Sequence, residues 1–225
     1  MTSTRTPPDT HPLAVDHAHV ADLEACLDLI NTVEYDDGAP EEHLPTTDAV
    51  LEWFSSRSLA HADALRGEAE RAPDAWLDRI RSTRRALRDV WDAAVDARSV
   101  PNGAVDTLNS VLDHAPHPEL RSVLAGVAVG HRHDPADPTA EALARVAEPL
   151  VAAIAAGDTA RWRICANDGC RWVFEDTSRG GRRRWCDMSS CGNRAKVRRF
   201  RSKRREPAVR VAETEADAAG RSNRA

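Results

Sequence analysis

Residues 163–201 read RICANDGCRWVFEDTSRGGRRRWCDMSSCGNRAKVRRFR. Cys165 and Cys170 are separated by four residues, Cys186 and Cys191 by four more, with fifteen between the pairs. Two short-spaced cysteine pairs are the pattern of a tetrahedral zinc site filled by four thiolates, and such a closed set leaves no coordination position for water. Cys165, Cys170, Cys186 and Cys191 are therefore read as ligands of one structural Zn2+ ion in a segment too short to fold without a staple. Between the pairs, Trp172-Val173-Phe174 and Arg184-Trp185 have strand character around the turn-forming run Thr177–Gly181, which predicts a hairpin that brings the pairs together. After the last cysteine, Ser189 or Ser190 is placed to cap a helix whose Val197 and Phe200 would face the metal-centred core. Knuckle, hairpin and helix make a treble-clef or ribbon-like module. Gly192 would let the backbone pass close to the metal, with Asn193 and Arg194 donating hydrogen bonds to the thiolates.

Upstream the pattern is mainly α. Val20, Leu23, Leu27 and Ile30 form a first amphipathic stripe. A short helix follows Thr46-Thr47-Asp48 with Val50, Leu51 and Phe54 inward. The longest helix starts at Pro73, a favourable first-turn proline, with Leu77, Ile80, Leu87, Val90 and Trp91 on its core face and Arg81, Arg84, Arg85 and Arg88 elsewhere. Pro101-Asn102-Gly103 breaks the pattern before a helix carrying Val105, Leu108 and Leu112. The near-alternation around Ala125-Gly126 predicts a small β-hairpin between Pro118 and His133. A helix over 139–156 carries Leu143, Val146, Leu150, Val151 and Ile154, is kinked at Pro149 and stops at Gly157. These readings divide the chain into a disordered leader (1–15), a helical domain (16–160), the zinc module (161–205) and a disordered tail (206–225), the two folded parts having separate cores. The fifth cysteine, Cys26, lies beside the first stripe as a small buried hydrophobe. Asp28 and Asn31 share one side of that helix, either as buried hydrogen-bonding groups or as the lining of a ligand pocket. The nine histidines all precede residue 134 and read as loop residues.

The formal charge of −5 hides its distribution. Residues 1–160 hold 13 Arg against 28 acidic residues, and residues 161–205 hold 15 Lys and Arg against 4, so an acidic body of −15 carries a basic module of +11. A polyanion would be drawn to one end only. Arg194, Arg198, Arg201 and Arg205 fall on one face of the final helix, flanked by Lys196, Arg199, Lys203 and Arg204, with Arg184 before it. This set is read as nucleic-acid-binding, since cations on a helix can neutralise phosphates and arginines can read guanine edges. The other reading of the same charges is a basic helix docked on the acidic domain.

The string Cys191-Gly192-Asn193-Arg194, preceded by Arg184-Trp185-Cys186-Asp187-Met188 and by Phe174-Glu175-Asp176-Thr177-Ser178, resembles the CGNR zinc-finger family. Upstream, Cys26-Leu27-Asp28-Leu29-Ile30-Asn31-Thr32 resembles the start of the helical ABATE domain that precedes this finger. The resemblance implies a stress-induced transcription regulator whose finger binds DNA. The expected protein is thus a DNA-binding regulator with a helical domain that senses a small-molecule signal or mediates a homodimer. The alternative is a zinc-containing module that grips a protein or RNA. No nucleophile–base motif, phosphate-binding glycine loop or HExxH is present, so an enzyme is not expected. With no secretory signal or membrane span in the sequence, the expected location is the cytoplasm.

Overall fold

The computed structural model describes residues 22–124, 126–133 and 136–201. The leader, the tail, Val20, His17 and His19 lie outside the described residues, as do Lys203, Arg204 and Arg205. The helices α1 (Leu23–Asn31), α2 (Thr47–Ser56), α3 (Ala62–Arg71), α4 (Pro73–Asp96), α5 (Asn102–Leu112) and α6 (Pro138–Ala156) pack around one apolar core. Three antiparallel hairpins punctuate them: β1 (Val33–Asp36) with β2 (Ala39–Glu42), β3 (His117–Val123) with β4 (Gly126–Arg132), and β5 (Trp162–Ile164) with β6 (Val173–Glu175). A π-helical turn (Met188–Gly192) then leads into a last helix, α7, over 193–201.

Most helix boundaries follow local chemistry. Asp22, Thr46 and Asp137 cap α1, α2 and α6 by accepting the backbone N–H three residues on, each such cap stabilising its helix by about 1 kcal/mol. Pro73 opens α4, and Gly157 ends α6 at φ 76, a left-handed conformation that glycine adopts without a Cβ clash. The core faces differ in phase from the simplest reading. On α1 the buried residues are Ala25, Cys26, Leu29, Ile30 and Asn31, while Leu23 and Leu27 only pack against the edge of the core. On α5 they are Ala104, Leu108 and Val111, and Asn102-Gly103 belongs to the first turn of the helix instead of breaking it. On α6 Val151 and Ile154 are exposed. Cys26 is fully buried, as expected of a small hydrophobe, and burial pushes its thiol up to about 12.

Two elements have no counterpart in the sequence reading, α3 and the β1–β2 hairpin. The hairpin turns at Asp37-Gly38, both with positive φ (45° and 88°), the arrangement a two-residue type I′ turn demands. It brings Glu42 onto Arg84 of α4, whose guanidinium donates to Glu42 Oε1 and to Thr32 Oγ1, both at 2.8 Å. Arg84 is therefore buried and paired rather than part of a solvated face.

The largest departure is at the join between the two folded parts. Trp162 and Val173, from the pair β5–β6, belong to the same apolar core as the helices. Trp162 stacks on Trp91 of α4 with ring centroids 4.2 Å apart and an interplanar angle of 7°. Trp91 Nε1 donates to the carbonyl of Arg163 at 3.1 Å. Asn31 of α1 makes a two-way bond with the backbone of Val173: its amide donates to the Val173 carbonyl (2.9 Å) and its oxygen accepts the Val173 N–H (3.0 Å). The expected separate cores are one core, because a three-residue pair of strands has too little apolar surface of its own.

Removing the Trp162 ring should therefore destabilise the helical domain as well as the finger. Trp162→Ala is expected to cost about 3–5 kcal/mol, lowering the thermal midpoint of the helical circular-dichroism signal by roughly 6–20 °C. An unchanged helical midpoint would mean the two parts are independent.

Candidate zinc centre and basic surface

The first ligand pair sits on the turn of β5–β6, not beside a later hairpin. Cys165 follows β5, Cys170 precedes β6, and the Cys165 N–H donates to the Trp172 carbonyl at 2.8 Å. Arg184-Trp185 is not a strand; this segment is tied in by a bond from the Ala166 N–H to the Arg184 carbonyl at 2.8 Å. The shift has a local cause. Trp162 and Val173 carry the burial that pairs these strands, whereas the run 177–185 is rich in Gly and Arg with little to bury. Buried Asp176 organises that run by accepting the N–H of Ser178 (3.0 Å) and of Arg183 (2.7 Å). The Ser178 hydroxyl and these N–H groups hold its carboxyl below the usual carboxylate range.

The second pair is set by Asp187, not by Ser189 or Ser190. Asp187 caps the turn through the Ser190 N–H at 2.8 Å, and the Ser189 and Ser190 donors keep its carboxyl well below the ordinary range. The turn is closed by Gly192 N–H to the Asp187 carbonyl at 3.0 Å. That bond spans five residues, one more than an α-helical bond, which lets a four-residue gap present Cys186 and Cys191 on the same side.

The four sulfurs lie within 4.8 Å of one another. Cys186 Sγ is 3.7 Å from both Cys170 Sγ and Cys191 Sγ. A tetrahedron with Zn–S bonds of about 2.3 Å has edges of about 3.8 Å, whereas a disulfide would require about 2.05 Å. The spacing and the donor chemistry fit one structural zinc ion. Burial pushes the Cys170 thiol up to about 11, and burial plus repulsion from Cys165 and Cys170 raises Cys186 further. Cys191 is held below the ordinary thiol range despite its burial, with the Asn167 amide as the foremost hydrogen-bond donor. A dication at the centre supplies the charge that four converging thiolates need.

Asn167 is the residue the sequence reading missed. It is buried, its Nδ2 donates to Cys191 Sγ at 3.5 Å, its backbone carbonyl accepts the Cys170 N–H at 2.8 Å, and its Oδ1 accepts from Arg198. One residue, through its backbone carbonyl and its side chain together, thus joins both ligand pairs to α7. A lone amide between two ligands of one knuckle was the available signal. The expected thiolate donors act elsewhere. Asn193 Nδ2 donates to the Ser189 carbonyl at 2.8 Å, and Arg194 Nη1 reaches Asp36 on β1 at 3.1 Å. A Cβ on Gly192 would collide with Met188 Sδ, so this glycine is set against Met188 rather than against the cysteine sulfurs.

The basic residues separate by role. Arg183 donates to the carbonyls of Trp185 (2.9 Å) and Cys186 and lies over the Phe174 ring. Arg184 lies over Trp185, and Arg198 is taken by Asn167. Arg199 is exposed on α7. Arg179, Arg182, Lys196 and Arg201 reach the surface, and among the described residues none makes a hydrogen bond or ion pair. Val197 and Phe200 are 47% and 62% exposed instead of facing the metal, because the four sulfurs and the half-buried Trp172 and Trp185 already fill that small core. Asn31 is hydrogen-bonded to the Val173 backbone, and Asp28 pairs with Arg57 at 2.7 Å. Among the described residues no helix is long and apolar enough to cross a membrane.

Asn167→Ala should keep one zinc per chain but weaken zinc retention by about 10–100-fold in chelator competition, the usual scale for loss of a ligand's supporting hydrogen bond. Asn193→Ala should change it far less. The reverse order would assign the thiolate contact wrongly.

Comparison with known proteins agrees with this geometry. A family model for the CGNR zinc finger matches residues 161–204, and the ABATE model, described as "Putative stress-induced transcription regulator", matches residues 23–157. Among curated proteins none matches. The ABATE match spans more than half of the chain and meets the finger at the stacked tryptophans, so the chain belongs to the ABATE family and carries a CGNR zinc finger at its C-terminal end.

Proposed function

We propose that the protein is a transcription regulator that binds duplex DNA through the surface cations of its zinc finger. The observation that carries this reading is the set Arg179, Arg182, Lys196 and Arg201, at the surface of the most basic part of the chain and without internal partners among the described residues. Cations left unpaired in a protein of net negative charge give an oriented field, attractive to phosphate at one end and repulsive over the rest. The zinc cluster and Asn167 fix α7 relative to the loop at 179–184, so the cations are displayed on a rigid frame. The family description supports regulation, and the four-thiolate site favours a binding protein over an enzyme, since it offers no position for substrate or water.

The docked-helix reading accounts for less. Arg194 with Asp36 joins α7 to the helical domain, but the two side chains are 52% and 78% exposed, and such a surface pair contributes about 0–1 kcal/mol. That leaves Lys196 and Arg201 available.

Duplex DNA titrated into the zinc-loaded full chain at several salt concentrations tests the proposal. Binding should weaken with salt, and Lys196→Ala/Arg201→Ala should flatten the log–log slope by about 1.8, roughly 0.9 for each phosphate no longer neutralised, with zinc content unchanged. Arg198→Ala is the poorer probe because it also releases Asn167. Salt-independent binding, or a double variant with the parental slope, would overturn the DNA reading.

A further inference from the structure

A cleft of about 370 Å3 opens where α4, the end of α1, β1 and the first zinc knuckle meet, within the size range of small-molecule sites and far too small for a duplex. One wall is apolar, made by Ile30 with Val33 and Tyr35, which project from the same side of β1. The facing wall is cationic: Arg84, Arg85 and Arg88 from α4 and Arg171 from the finger. Asp89 completes the lining.

The arginines are not fully balanced by their neighbours. Arg84 is paired with Glu42 at 2.8 Å. Arg88 and Arg171 share one carboxylate, Asp92, at 2.6 and 3.4 Å. Arg85 and Asp89 make no hydrogen bond or ion pair among the described residues. Four guanidiniums thus face three carboxylates, leaving one positive charge. Arg88 is spent inside the protein, its Nε on Asp92 and its Nη1 on the Arg171 carbonyl, so it lends the cleft its charge and not a hydrogen bond. We propose that this cleft binds a small organic monocarboxylate, its carboxylate held by Arg85 and Arg171 and its apolar body laid against Ile30, Val33 and Tyr35. A monoanion cancels the excess charge, whereas a zwitterion leaves it standing. The planar guanidinium fork matches a carboxylate in two bonds. Asp89 directs the anion away from its own end of the cleft.

The site joins the two folded parts. Arg171 holds a left-handed backbone conformation (φ 55) while its carbonyl accepts from Arg88 Nη1 at 2.9 Å. A ligand clasped by Arg171 and α4 together adds to the Trp91–Trp162 contact, so occupancy stabilises the finger's seat on the helices by mass action. The site does not depend on the DNA reading, and its test contains no DNA.

Benzoate is the probe, titrated calorimetrically into the zinc-loaded full chain. Saturable binding at one site per chain is expected, with benzyl alcohol, the uncharged counterpart, and inorganic phosphate, which lacks the apolar body, each at least about tenfold weaker. Arg85→Ala, at an exposed position, should weaken benzoate at least about tenfold without changing the melting temperature. Arg57→Ala, outside the cleft, should leave benzoate binding as it is. Amide exchange over 171–173 should slow on benzoate addition. No saturable binding up to about 10 mM, equal affinity for benzyl alcohol, tighter binding of phosphate, or an Arg85→Ala protein that binds benzoate like the parent would each overturn the proposal.

Discussion

The stacked pair Trp91–Trp162, with the Asn31–Val173 clasp beside it, is the contact on which the rest of the protein depends. A face-on pair at 4.2 Å buries two of the largest side chains at once, and stacking contributes about 0.5–1.5 kcal/mol beyond the burial itself. The clasp adds two buried hydrogen bonds at a point where the unpaired strand backbone would otherwise be costly. Together they give the zinc module a place in the main core. The helical domain therefore acts as the foundation of the finger rather than as a neighbour on a linker.

This foundation explains how a module of some forty residues with a four-sulfur core can hold a rigid cationic surface. The strands β5 and β6 are fixed from below by α1 and α4, the knuckle is held at Gly169, where an added Cβ would come within 3.0 Å of the Asp37 backbone, and zinc closes the far side. Asn167 then transmits that order to α7. The acidic helices and the basic module keep opposite fields because most of the charge in each stays at the surface. Where charges do meet across the join, at Asp92 with Arg88 and Arg171, they do so in a partly buried bridge beside the cleft.

Much of this was legible in the sequence. Cysteine spacing fixed the metal ligands because tetrahedral thiolate geometry tolerates few alternatives. Thr46, Pro73 and Gly157 marked helix ends because capping is local chemistry, and Ala125-Gly126 marked the exposed hairpin. The failures share a physical cause, namely burial decided by distant residues. Trp172-Val173-Phe174 does hold a strand, but its partner is Trp162–Ile164, chosen by the core that Trp91 provides and not by the nearest turn sequence. Val197 and Phe200 have helical spacing but no core left to fill. Asn193 and Arg194 follow a cysteine in sequence, yet the thiolate is served by Asn167 from the opposite knuckle. Asp37-Gly38 was a readable type I′ signal, and the β1–β2 hairpin it forms is what carries Glu42 to Arg84 and Val33 and Tyr35 to the cleft.

Native-state hydrogen exchange on the zinc-loaded full chain tests the shared core most directly. The Val173 amide donates to Asn31 across the join, so it should open with the same free energy, and the same dependence on denaturant, as the slowest amides of α4 near Trp91. A Val173 amide that exchanges through a separate, lower-energy opening while α4 stays protected would contradict the single core and return the finger to the status of an independent domain.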